Sequence, residues 1–262
     1  MGEPTTVPGG VQATPTNDSP PQVTAATTER LARESPAGTT QLVFFDLDET
    51  ITRHDTLMPY AWGFMLRYTP WRIPLLLGVL PAALEFALRL ARGSSGLADI
   101  ASVKEAFIRC SMGGSRRVTL EKWTAHFVPR LIATGLFADA VKQVAEHRRR
   151  GDHLVLMSAS TDLYVPVIAR ELGFNETICT GVRWDGDRLN GSLTTPNRKG
   201  AEKARCFTAQ VERFPGRTTV AYGNSFTDLP HLRLANRGVL VNGSAKARRA
   251  AESFGVVCVD WN

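Results

Sequence analysis

Leu42-Val43-Phe44-Phe45-Asp46-Leu47-Asp48-Glu49-Thr50 is the stretch on which the fold turns. Four consecutive large apolar residues leave no polar face, which suits a strand buried on both sides in a parallel sheet covered by helices. Two aspartates follow at once. In extended chain, Asp46 and Asp48 point the same way and can share one task. Such oxygen ligands suit a hard cation, and a carboxylate placed there can attack as a nucleophile or carry a proton. By itself the motif is equally compatible with a solvated acidic loop.

The same grammar recurs downstream. Leu154 to Met157 follows Gly151-Asp152, Thr218 to Tyr222 precedes Gly223, and Gly238 to Val241 precedes Asn242-Gly243. Helical spacing lies between the strands: Ala138 to Arg150 ends in basic residues and a glycine, and Asp162 to Leu172 ends at Gly173. This alternation predicts an α/β fold with a doubly wound parallel sheet and ligands beyond the carboxyl ends of its strands. Arg183 to Thr195 reads as a small hairpin. Residues 56–136 break the alternation with helix-like segments and read as a helical cap inserted into a catalytic core of residues 41–55 and 137–262. Residues 1–40, rich in Pro, Thr, Gly, Ala and Ser, read as a disordered tail.

Polar clusters follow the predicted strands. Met157-Ser158-Ala159-Ser160 is expected to open a helix, where hydroxyl and amides bind an anion or where Ser160 or Thr161 simply caps. Asn197 to Lys203 offers Lys199 and Lys203 at another helix start, where a cation can neutralise phosphoryl charge. Gly223-Asn224-Ser225-Phe226-Thr227-Asp228 adds two oxygen side chains, or is an ordinary Gly-Asn turn.

In this order, a strand with DxDxT, a strand with Ser, a Lys and a strand with GNxxxD resemble the haloacid dehalogenase (HAD) superfamily. The chain looks similar to its phosphoserine-phosphatase-like branch (HAD-IB type), the neighbourhood of phosphatidylglycerophosphatase C. Met112-Gly113-Gly114, Tyr164-Val165-Pro166 and Gly200-Ala201-Glu202-Lys203 carry the same likeness. The resemblance implies a HAD-like Rossmannoid core and a Mg2+-dependent phosphatase that forms an aspartyl phosphate on Asp46. It implies Asp46 as nucleophile and metal ligand, and Asp48 as general acid and base whose backbone carbonyl also binds the metal. Asn224 and Asp228 would complete the metal site, Asn224 standing where the family usually has Asp. Thr50 would orient the loop, Ser158 with Ala159 would hold phosphate, and Lys203 would steady the charged intermediate, with Lys199 second in line for that role. Asp55 falls where phosphoserine phosphatases place an acid for the substrate's amino group; a solvated loop acid is its plainer reading.

The formal charge of +6 comes largely from scattered arginines with no interleaved aromatics. Nucleic acid is therefore not an expected partner, whereas a phosphorylated small molecule or a lipid surface is. Cys110, Cys179, Cys206 and Cys258 form no CxxC pair, and no leader-like segment opens the chain, so a cytoplasmic protein is expected. The cap also holds an uncharged run from Ile73 to Leu84, too short to span a bilayer and interrupted by Pro74 and Pro81. Its first reading is buried cap packing. Its second is peripheral docking at the inner membrane surface, with Trp62, Tyr68, Trp71, Arg67 and Arg72 at the headgroup boundary, which would make a lipid phosphate such as phosphatidylglycerophosphate a natural substrate. A phosphatase of soluble, phosphoserine-like metabolites, a phosphotransferase and a catalytically weak HAD-derived binding protein stay open beside it.

Overall fold

The computed structural model describes residues 40–92 and 99–262, so the reading of the tail lies outside the described residues except at exposed Thr40. Among the described residues eight strands run in chain order: β1 (Leu42–Phe45), β2 (His153–Thr161), β3 (Glu176–Thr180), β4 (Val182–Asp185), β5 (Arg188–Leu193), β6 (Thr219–Gly223), β7 (Arg237–Val241) and β8 (Val257–Val259). Six form one parallel sheet in the order β3-β2-β1-β6-β7-β8, and β4 pairs antiparallel with β5 as a separate hairpin. The chain builds outward from β1 in one direction through β2 and β3 and in the other through β6 to β8. The carboxyl end of β1 is thus the switch point at which such sheets bind ligands.

Side-chain alternation along β1 explains its unbroken apolar sequence. Val43 and Phe45 join Leu154, Leu156, Val220 and Tyr222 in one core, while Leu42 and Phe44 join Val155, Met157, Ala221 and Leu240 in the other. A central strand with a core on each face has no place for a polar residue until it leaves the sheet, at Asp46.

Between Leu57 and Thr134 the described chain is helical: α1 (Leu57–Tyr68), a 3₁₀ segment (Pro70–Val79), α2 (Leu80–Ala91), α3 (Asp99–Met112) and α4 (Arg117–Thr134). The ends of this insert meet in a neck where Thr52 bridges Leu136 and Arg53 N donates to the Gly135 carbonyl at 2.8 Å. Leu57, Tyr60, Phe64, Ile108, Met112 and Trp123 from the insert extend the core cluster that covers one face of the sheet. That face is otherwise covered by α5 (Ala138–Arg149) and α6 (Val165–Leu172), and the opposite one by α7 (Ala201–Glu212), α8 (Leu229–Leu232) and α9 (Ala245–Ser253). Gly173, at φ 76°, ends α6 in the left-handed conformation that favours glycine.

Two sequence expectations are corrected. First, β2 does not stop at Met157: after a bulge it pairs Thr161 with Thr180, Thr180 Oγ1 donates to the Ala159 carbonyl at 2.7 Å, and α6 begins only at Val165. Ser158 to Ser160 therefore lie in extended chain and cap no helix. Second, Pro70–Ala91 is not buried cap packing. It is a single helical run of 22 residues, long and apolar enough by length and composition to cross a bilayer, with no buried residue. The prolines do not break it, because Pro74 is accommodated within the 3₁₀ turns and Pro81 sits in the first turn of α2, where its missing N–H costs nothing.

Candidate active site

The turn after β1 aims two carboxylates into one cavity. The N–H groups of Thr50, Ile51 and Thr52 converge on the Leu47 carbonyl at 2.9–3.3 Å, and Glu49 takes a positive φ of 58° to let the chain reverse. Thr50 Oγ1 donates to Asp46 Oδ2 at 3.0 Å. Asp48 is held from the other side: its Oδ1 accepts from Thr56 N (2.8 Å) and Thr56 Oγ1 (2.6 Å), and its Oδ2 from Ser160 Oγ (2.6 Å) and, more weakly, Ser158 Oγ (3.4 Å).

Lys203, from the first turn of α7, is 3 % exposed and bridges Asp46 Oδ1 (2.6 Å) and Asp228 Oδ1 (2.8 Å). Ser225 donates both its N–H (3.0 Å) and its hydroxyl (2.6 Å) to Asp228 Oδ2. This close approach depends on Gly223, where a Cβ would stand 2.7 Å from the Asp228 Cβ. Burial works against charge on Lys203, yet the two carboxylates outweigh it and hold the ammonium above its ordinary pKa. Burial likewise opposes ionisation of Asp228, but Lys203, His231 and Ser225 keep it well below the usual carboxylate range. Asp46 goes the other way, to about 7, because burial with the charges of Asp228 and Asp48 exceeds the pull of Lys203. Burial also raises Asp48 against its hydrogen bonds from Ser160 and Thr56. One ammonium is shared between two carboxylates, with a third beside them.

The cavity, about 250 Å³, is lined by Asp46, Asp48, Lys203, Asp228, Asn224, Ala159 and Asp55 among the residues singled out from sequence. Thr50 and Ser158 are fully buried behind its wall, one against Asp46 and the other against Asp48, and of the two serines of β2 it is Ser160 that lines the cavity. Lys203 rather than Lys199 takes the inner position, with Lys199 on the wall. Asp55 also accepts from Met58 N at 3.0 Å and so supports the start of α1. Sequence reasoning missed Lys104. This cap lysine on α3 reaches the cavity and donates to the Ala159 carbonyl (2.8 Å) and Asn197 Oδ1 (2.6 Å); burial lowers its pKa to about 8 although Asp48 opposes that shift. It also missed Asn197, whose buried Nδ2 has no partner and which lines the same cavity. No local signal marks either residue, since both are ordinary polar residues in helical or loop sequence.

The donor set fits a magnesium ion. Of the acidic and amide side chains that line the cavity, Asp46, Asp48, Asn224 and Asp228 all offer oxygen. The surplus of carboxylate over ammonium is what a hard cation would neutralise. Among the described residues no three acidic, His or Cys side chains form a cage of their own.

Fold and site together place a cavity lined by carboxylates beyond the first strand of a doubly wound sheet. The profile of the haloacid dehalogenase-like hydrolases matches residues 43–233, and the chain belongs to that family; it is a phosphatase. It is 25 % identical over 241 residues to phosphoserine phosphatase SerB1 of Mycobacterium tuberculosis, covering 91 % of this chain and 75 % of that protein. A crystallised protein of unknown function from Bordetella pertussis Tohama I superposes with a TM-score of 0.67 at 24 % identity, over 85 % of this chain and 99 % of the other. A phosphoserine phosphatase structure described as a phospho-aspartyl intermediate analogue shares the fold at a TM-score of 0.57 and 14 % identity, over 84 % and 93 % of the two chains.

Proposed function

We propose that this phosphatase cleaves phosphomonoesters through an aspartyl phosphate on Asp46, with Mg2+ as cofactor. The observation that carries the reading is the Lys203 bridge between Asp46 and Asp228, in a cavity that also holds Asp48. Asp46 attacks phosphorus as the bond to the leaving oxygen breaks, and Asp48, whose burial raises its pKa, gives that oxygen its proton. Asp48 then takes a proton from water, whose oxygen displaces Asp46 and releases phosphate. Lys203 stays charged throughout and offsets negative charge on the phosphoryl oxygens, while Asn197 Nδ2, Lys104 and Lys199 supply donors on the outer wall. Asp46, the Asp48 carbonyl, Asn224 and Asp228 would hold magnesium, which would supply Lewis-acid neutralisation of the phosphoryl group. The phospho-aspartyl analogue captured in the structural neighbour supports the covalent route.

Two substrate readings each have an observation behind them. The long exposed apolar helix of the cap favours a lipid phosphate such as phosphatidylglycerophosphate, worked on at the cytoplasmic face of the membrane. Asp55 on the cavity wall and the name of the mycobacterial relative favour a soluble phosphoserine-like metabolite. The test of the chemistry is hydrolysis of a soluble aryl phosphate with and without magnesium, in wild type and Asp46→Asn. Turnover should need the metal and fall by at least about a thousandfold in the variant, the scale on which a lost nucleophile acts. Turnover that survives the substitution would defeat the covalent route, and no turnover from the wild type would leave a binding protein.

A further inference from the structure

The 3₁₀ segment and α2 carry large apolar residues on both their inner and outer faces, with Arg72, Glu85 and Arg89 their charged residues. Half-buried Ile73, Leu76, Val79, Ala83 and Phe86 recur at helical spacing and form the inner face. The outer face carries Trp71, Leu75, Leu77, Leu80, Leu84, Leu88 and Leu90, exposed by 46–71 %. A helix that is hydrophobic all round is a buried helix, and here only one side has a protein partner. A second stripe lies on α1, where exposed Met58, Trp62 and Leu66 stand four residues apart and so share one face. Scattered exposed leucines need no explanation, but a contiguous apolar surface of this length marks a binding face.

We infer that this face lies flat in the interface of an anionic lipid bilayer. Two observations choose the occupant. From Leu57 to Arg92 there are four arginines, Arg67, Arg72, Arg89 and Arg92, against one acidic residue, Glu85, which is already paired with Arg89. Exposed Arg67, close in sequence to Trp62 and Trp71, and exposed Arg92 flank the apolar run at its two ends, as befits contact with acidic headgroups. The run is also long and apolar enough, by length and composition, for a bilayer to receive it, and none of it is buried in the protein.

The geometry also decides how it is seated. The run packs back against α3: Arg72 Nη1 donates to the Arg109 carbonyl at 3.3 Å, a Cβ on Gly78 would lie 3.2 Å from Cys110 Sγ, and α2 also contacts α3. Both α1 and α3 are anchored in the cap, so the run cannot leave α3 to cross a bilayer. α3 carries Ile100 and Lys104 on the cavity wall, and α1 begins beside Asp55 and Leu57 on the same wall. The docking helices are thus fixed to the elements that line the site.

The docking does not rest on the catalytic reading. The full chain is mixed with vesicles of phosphatidylcholine alone or with phosphatidylglycerol and sedimented, beside the double variant Leu77→Glu, Leu84→Glu. The wild type should pellet with the phosphatidylglycerol vesicles and be released by an alkaline carbonate wash. The variant should lose binding by about tenfold or more, since two charges replace two inserted leucines, yet hydrolyse a soluble aryl phosphate at the wild-type rate, which shows that it folds. Wild type left in the supernatant, a variant that binds equally, or retention after the carbonate wash would each overturn the flat seat on lipid. A wild-type dimer that becomes a monomer in the variant, without vesicle binding, would assign the face to a second copy. Vesicle binding without turnover would sink the phosphatase chemistry and leave the docking standing.

Discussion

Glu49 accepts a hydrogen bond from the Asn224 amide at 3.0 Å, across 175 residues of sequence, from a backbone held at φ 58°. Non-glycine residues rarely adopt that conformation, and those that do cluster where function holds them there. At position 224 an amide stands where the family usually has a carboxylate. Glu49 returns the missing negative charge to the same wall of the cavity.

Glu49→Gln should therefore weaken magnesium binding about fivefold, the ~1 kcal/mol that water-screened charges exchange near contact. Asn224→Asp should restore the affinity in that background and do less in the wild type, where it would face Glu49. Titration calorimetry of the four proteins gives the double-mutant cycle; an affinity indifferent to Glu49→Gln removes the compensation.

Lys203→Met leaves Asp46 and Asp228 buried against each other with no counter-charge. Removing one partner of a buried ion pair costs on the order of 3–5 kcal/mol, and urea denaturation near neutrality should show a loss of that size. Without the ammonium, both carboxyl groups take a folded-state pKa above the unfolded value, so the folded state binds protons more readily and the deficit should shrink as pH falls. A deficit that grows in acid would contradict the bridge.

Gly223→Ala forces a methyl group to within 2.7 Å of the Asp228 Cβ. Neither neighbour is the free end of a flexible side chain, so overpacking of about 1–3 kcal/mol is expected. Turnover should fall with it, because the shift separates Asp228 from Lys203. Thermal unfolding and aryl phosphate hydrolysis read the two effects, and an alanine variant with wild-type melting and rate would show that the wall gives way freely.

Lys104 is charged below about pH 8 and neutral above it, because burial lowers its pKa. If it helps hold an anionic substrate, KM should rise as pH passes through that value while kcat changes less. Lys104→Met should show the raised KM already at neutral pH and lose that step in the profile. A variant that keeps the wild-type KM-against-pH curve assigns the step to another group.

The doubly wound sheet could be read directly from the sequence because its signals are local. Leu42 to Phe45 has to be buried on both faces, Gly151 and Gly173 stand where helices stop, and Asp46 is the first polar residue where β1 leaves its two cores. The order of the polar clusters pointed to the carboxylates, the lysine and the final aspartate for the same reason, since parallel strands deliver their ends to one edge. Tertiary structure alone decided the rest. Choosing Lys203 over Lys199 required the contact with Asp46 across 157 residues, and Lys104 reaches the site only because the cap folds over the sheet. Ser160 replaced Ser158 on the cavity wall because β2 continues through its bulge to pair with Thr180. The run from Pro70 to Ala91 has a composition that suits a protein core and a lipid surface equally well. Which of these receives it depends on the area α3 can cover, a property of packing that no periodicity records.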